Sequence, residues 1–209
     1  MDGFTGFPDG KLKVTPIPEM FFSDLLPLID PAKDMLNGTW QRQGSALALT
    51  SPTEEAYLRV PVIPQGNYEV QVRFVRTSGD DTVTVVLPVG SARIALCLSH
   101  GHGKASGLDQ INGVGATKHE SSARPGTLIN GQEYLVGVKV LAEGRHARIE
   151  TTLDGKPLMH WEGPQSALGV IGKYRIPPPG CLGLAACQST VVFRSVRLRM
   201  LSGTATVLR

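Results

Sequence analysis

The run RHARIETTLDGKPLMHW, Arg145 to Trp161, alternates in polarity, reaches Asp154-Gly155, and answers with a second short run that ends in an aromatic. An Asp-Gly pair between two such runs predicts a β-hairpin, because a type I′ turn needs positive φ at both central positions. Upstream, Tyr134, Val136, Val138 and Val140 alternate with Glu133, Leu135, Gly137 and Lys139, which predicts another half-buried strand. Downstream, LGLAA and VVFRSVRLRML supply two more, so the chain closes as a β-meander.

Working towards the N-terminus, period-two runs recur between residues 39 and 98: SALALT, AYLRV, NYEVQVRFVR, TVTVVLPV and SARIALCL. In NYEVQVRFVR, Tyr68, Val70, Val72 and Phe74 share one face and Glu69, Gln71 and Arg73 the other, since alternate residues of a strand project oppositely. The first set reads as core and the second as a polar surface open to solvent or ligand; Trp40 is assigned to the core. Between Ser99 and Gly131 the chain turns rich in Gly, His and Ser, and this stretch reads as one long functional loop. Residues 1–23 hold several prolines around part of the apolar patch MFFSDLLPLI and read as an extended arm, with a short helix in the patch; 24–209 form the domain.

At 209 residues the chain is long enough for one full all-β core, and 24 Gly with 15 Pro suit many turns. The net charge of +3 is mild, and only RSVRLR (Arg194, Arg197, Arg199) is dense in cations, so a solvated strand face is expected and no nucleic-acid partner. No apolar run reaches membrane-span length and the N-terminus lacks a signal-peptide pattern, from which a cytoplasmic location and no membrane partner are expected. Cys97, Cys181 and Cys187 show no zinc spacing; a Cys181–Cys187 bridge is conceivable in an oxidising compartment, but reduced thiols are favoured.

The stretches DLLPLIDPAKDMLNGTW, Tyr68 to Phe74, LPVG at 87–90, the Leu153-Asp154-Gly155-Lys156 hairpin and LGLAACQSTVVFRSVRLRMLSG, in that order, resemble concanavalin A-like lectin/glucanase domains of the laminin-G type, over residues 24–209. The resemblance is to single modules of large bacterial proteins, and it implies an all-β jelly-roll sandwich of two antiparallel sheets with one concave face. Separately, GFPDGKLKVTPIPEMFFSDLLPLI, within residues 1–30, resembles the N-terminal segment of DnaD-type replication proteins, although the likeness stops at Asp30-Pro31 and no helical domain follows.

Glycoside hydrolases that this fold resembles carry E-x-D-x-x-E or E-x-D-x-E on one strand, which sets two carboxylates on one face of a cleft. That triplet is missing: Glu69, Glu133 and Glu150 each stand among non-acidic neighbours. Gly101-His102-Gly103-Lys104 lacks the strand-to-helix setting of a phosphate loop, and no serine sits in G-x-S-x-G. His100, His102, His119 and Asp109 are conceivable zinc ligands on a loop that holds none of them in place. Calcium is the better metal by resemblance, through Asp80, Asp81 or Asp109, yet no dense ligand loop is present, so no cofactor is expected.

Sugar recognition needs an aromatic plate for the pyranose C–H face and planar polar groups for the hydroxyls. The natural ligand-binding set is therefore Trp161, His160, Asp109, Gln110, Asn112 and Arg73, with Trp161 equally readable as a rim residue packed on Pro164. These readings make the chain a non-catalytic recognition module for a carbohydrate, bound on the concave sheet or the rim of the 99–131 loop. The rivals are a protein-interaction or scaffolding domain and a glycosidase-like enzyme of the 3-keto-disaccharide hydrolase type.

Overall fold

The computed structural model describes residues 21–51 and 55–208. Its strands, in chain order, are β1 (Ser23–Asp24), β2 (Met35–Asn37), β3 (Trp40–Gln43), β4 (Ala46–Leu49), β5 (Ala56–Val60), β6 (Val62–Gln65), β7 (Tyr68–Gly79) and β8 (Val83–Val89). The second half adds β9 (Ala92–Ser99), β10 (Ala105–Asp109), β11 (Glu133–Glu143), β12 (His146–Leu153), β13 (Lys156–Pro164), β14 (Leu182–Ala186), β15 (Ser189–Met200) and β16 (Thr204–Val207). An eight-stranded sheet runs β13-β12-β11-β7-β15-β4-β3, with β1 also on β15; a six-stranded sheet runs β10-β9-β8-β14-β5-β2; β6 and β16 pair separately. Every named pairing is antiparallel.

The period-two reading holds where it was strongest. Tyr68, Val70, Val72, Phe74, Tyr134, Val136, Val138 and Val140 all lie between the sheets, none more than 6% exposed. Across them Phe74 stacks on Tyr134 with ring centroids 5.8 Å apart, and Phe193 carries the aromatic contact on to Trp40 at 6.1 Å. The Tyr68 hydroxyl donates to Pro88 O at 2.7 Å, tying one sheet to the other, and burial holds its pKa well above the ordinary tyrosine value. The hairpin turns at Asp154 and Gly155, both with positive φ as the Asp-Gly signal requires.

The segment between Ser99 and Gly131 is not one long loop. It opens with a tight left-handed turn at Gly101–Gly103 and then forms β10, whose ASGLD sequence is buried throughout. Small side chains hid this strand, since Ala, Ser and Gly carry little strand preference. Buried Arg76 fastens the rest: its guanidinium donates to Asn130 Oδ1 at 2.7 Å, to Ser99 Oγ and Asp81 O at 2.9 Å, and to Leu128 O.

The part of the apolar patch that falls within 24–209 packs into the sandwich core. Leu25, Leu26 and Ile29 are core residues, Leu25 N donates to Val196 O at 2.6 Å, and Arg42 holds the carbonyls of Leu26 and Ile29. Phe22 lies beside the guanidinium groups of Arg197 and Arg199, 5.3 and 4.9 Å from its ring centroid. The expected helix is one 3-10 turn, Leu26–Leu28, with a further single turn at Pro31–Asp34. Residues 1–20, on which most of the arm and DnaD-type readings fall, lie outside the described residues.

Candidate functional site

The outward residues of the eight-stranded sheet converge as ordered rows. Register places Arg199 beside Glu69, Glu69 beside Lys139, Lys139 beside Glu150 and Glu150 beside His160, so one row crosses five strands with alternating charge character. The adjacent row carries Leu141, Arg148 and Glu162. Where β11, β12 and β13 end, Leu141, Glu143, His146, Ala147, Arg148 and Glu162 line an open cleft of about 220 Å³. Arg148 Nε lies 3.2 Å from Glu150 Oε1, and His160 Nε2 lies 4.0 Å from Glu162 Oε2. Exposed pairs of this kind contribute about 0–1 kcal/mol each, so a ligand can exchange its hydroxyls for them at little cost in stability.

Gln165 fixes the β11–β12 turn beside the cleft. Its side chain is buried and all of its polar capacity is spent: Oε1 accepts from Ser91 N at 3.1 Å and from Ser91 Oγ at 3.2 Å, while Nε2 donates to Gly144 O at 3.1 Å and His146 O at 3.3 Å. It thereby joins the β8–β9 turn of one sheet to the β11–β12 turn of the other. A side chain at Gly90 would meet Gln165 Oε1 at 2.4 Å, so glycine is required opposite it.

The six expected ligand residues separate into three groups. His160, Gln110 and Asn112 flank the far end of β13: His160 is on the outer face, while Asn112 N donates to Ala167 O at 2.7 Å just beyond that strand. Gln110 and Asn112 both hold positive φ, which for residues other than glycine marks a backbone held in place by its surroundings. Trp161 and Asp109 lie on the same flank but face inwards. The indole is 8% exposed and joins the main core, so the reading of Trp161 as a stacking plate gives way to a core role set by its parity with Met159. Asp109 is 3% exposed, and its Oδ1 accepts from Ala116 N at 3.0 Å, which places the carboxylate in loop structure rather than at the surface. Arg73 lies three strands from β13 and pairs with Glu133 at 2.7 Å; Glu133 also takes Arg194 at 3.1 Å.

The conceivable metal ligands serve other ends. His102 Nδ1 is 3.0 Å from Asp80 Oδ1; that contact raises the imidazole pKa and lowers the carboxylate's. Asp81 Oδ1 accepts from Gly101 N at 2.9 Å, holding the left-handed turn, and His119 Nδ1 meets Ser121 Oγ at 2.8 Å. Among the described residues no three His, Cys, Asp or Glu side chains gather as metal ligands, and Asp80, Asp81 and Asp109 do not make a calcium cradle. No disulfide joins Cys97, Cys181 and Cys187. Cys181 and Cys187 bracket β14, about 20 Å apart along an extended strand, far beyond the reach of about 7 Å between the Cα atoms of a disulfide. No helix among the described residues is long and apolar enough to cross a membrane.

No family model matches the chain, no curated protein matches it, and the likeness of residues 1–30 to DnaD-type proteins finds no support. Solved structures do match. Peanut lectin, solved with a nine-residue peptide, is similar at TM-score 0.52 and 11% identity over 82% of this chain and 90% of that one. A candidate glycosyl hydrolase from Parabacteroides distasonis matches at TM-score 0.52 and 10% identity, covering 96% and 94% of the two chains. A Bacillus subtilis protein of unknown function with a galectin-like fold matches at TM-score 0.52 and 11% identity, covering 90% and 100%. At such low identity the likeness shows the fold alone: the chain folds as a concanavalin A-like jelly-roll sandwich.

Proposed function

We propose that this chain is a non-catalytic carbohydrate-recognition module whose saccharide sits in the cleft at the ends of β11, β12 and β13. The observation that carries the reading is the convergence of Glu143, His146, Arg148 and Glu162 from three adjacent strands around an open cleft, with His160 beside Glu162 at 4.0 Å. Carboxylate, guanidinium and imidazole groups supply acceptors and donors in fixed planes, which is what pairs of sugar hydroxyls require. Leu141, on the outer face beside Arg148, gives an apolar surface for the C–H face, and Gln110 and Asn112, on the loop that bonds Ala167 beyond β13, are the further hydroxyl partners of this reading. The lectin-type neighbours support a carbohydrate as the kind of partner.

The setting of the carboxylates supports binding rather than turnover. Glu150 and Glu162 stand on an open sheet face beside Arg148 and His160, whereas glycoside hydrolysis pairs its acid and base across an enclosed bond. Calorimetric titration with β-glucans, galactans and glycosaminoglycans tests the reading, with Arg148→Ala as the control variant. Heat that disappears in the variant supports it; binding only to a protein ligand overturns it in favour of a scaffolding role, and turnover of chromogenic glycosides overturns it in favour of an enzyme.

A further inference from the structure

The outer face of the six-stranded sheet is covered by the chain's own segment 169–181. Its floor is built from small residues: Ala95 and Cys97 on β9, Gly107 on β10, and Gly183 and Ala185 on β14. The covering strap lays Tyr174 and Ile176 into this trough, and Gly183 makes room for it, because a Cβ there would stand 2.0 Å from Ile176 Cδ1. Polar groups line the same floor. Thr84 Oγ1 lies 3.3 Å from the Tyr174 hydroxyl and donates to Cys97 Sγ at 3.5 Å.

The strap is fastened at long range. Arg93, from the floor, donates to Tyr174 O and Pro178 O, each at 3.4 Å, and Arg59 reaches Pro177 O at 3.5 Å. These lengths lie at the outer limit of hydrogen bonding. Arg59 also holds Asp34 through two nitrogens, whereas Arg93 meets no carboxylate among the described residues. A half-buried guanidinium that grips only two stretched carbonyls is matched better by a planar anion, to which it can donate in parallel.

We propose that the face beneath residues 169–181 is a second binding groove, closed here by its own strap, for an acidic oligosaccharide whose uronate carboxylate replaces the strap carbonyls on Arg93 and whose hydroxyl meets Thr84. This groove lies on the opposite sheet from the cleft and does not depend on it.

The test is a Tyr174→Ala/Ile176→Ala variant titrated with short oligogalacturonates, with a neutral cello-oligosaccharide and a heparin-derived oligosaccharide alongside. A groove that is open only part of the time binds more weakly by that fraction, so loosening the strap should strengthen oligogalacturonate binding about tenfold or more. Adding Arg93→Gln should abolish the gain and Arg148→Ala should leave it intact, which separates failure here from failure of the cleft reading. No gain in the loosened variant, an equal gain for the neutral sugar, or binding undiminished by Arg93→Gln overturns the proposal. Should the double variant not fold, hydrogen exchange on the parent chain decides: amides of 172–181 must exchange faster with oligogalacturonate bound, and unchanged exchange overturns the proposal. A preference for the heparin-derived sugar overturns the choice of carboxylate over sulfate.

Discussion

Replacing Trp161 with alanine separates a core role from a ligand-plate role. The indole is 8% exposed, in register with Ile149, and packed over Gly163, where a Cβ would come within 2.8 Å of its ring. A tryptophan buries about 150–250 Å², which at about 25 cal/mol per Å² sets an upper estimate of about 4–6 kcal/mol. Because β13 is an edge strand its neighbours can relax, and the usual cost of aromatic truncation, about 3–5 kcal/mol, applies. In a chain of 209 residues each kcal/mol lowers Tm by about 2–4 °C, so Trp161→Ala should lower it by about 6–20 °C. Scanning calorimetry of parent and variant measures the shift, and a saccharide titration well below the variant's transition reads the binding. A Tm within about 2 °C of the parent together with abolished binding would refute the reasoning, because only an exposed ring behaves that way.

Gln165→Ala strips four hydrogen bonds that join the two sheets; it should cost about 2 kcal/mol by chemical denaturation and weaken saccharide binding in the cleft. The His102–Asp80 contact raises the imidazole pKa and lowers the carboxylate's, so its stabilising contribution is present at mildly acidic pH. That contribution fades as pH rises through the raised histidine value and again as pH falls through the lowered aspartate value, and an NMR titration should show the His102 midpoint dropping in Asp80→Asn. Burial pushes the Cys97 thiol up to about 12, so Cys97 should resist thiol reagents until the protein unfolds; mass mapping of modification below the transition should find Cys187, which is only partly buried, reacting ahead of it.

What the sequence revealed and what it hid follow from one physical rule. Where one sheet face meets the core and the other meets water, polarity alternates, and β7, β11 and the hairpin were readable from it. The same rule was available for β13, where Met159 and Trp161 alternate with His160 and Glu162, but a lone aromatic beside a turn drew the reading towards the surface. The six-stranded sheet is buried on both faces, so its runs TVTVVLPV, RIALCL and LGLAA are nearly continuous in apolar character. That continuity was the signal that something covers the outer face, and YRIPPPG, with no periodicity of its own, gave no hint that it was the cover. The cleft depends on cross-strand register, which pairs Glu162 with Arg148 and His160 with Glu150 from separate strands. Register is set by turns and by the bulge between Thr151 and Thr152, and no spacing along the chain displays it.

Carbohydrate binding in the cleft is tested most directly by calorimetric titration of the saccharide panel against the parent chain and against Arg148→Ala, with Tm recorded for both. Arg148 is exposed on an outer strand face, so its truncation should leave Tm nearly unchanged. Saturable heat is predicted for at least one saccharide, with Kd on the order of micromolar to millimolar as befits an open cleft, and it should be lost in the variant. No heat for any saccharide, or equal heat for parent and variant, would contradict that reading.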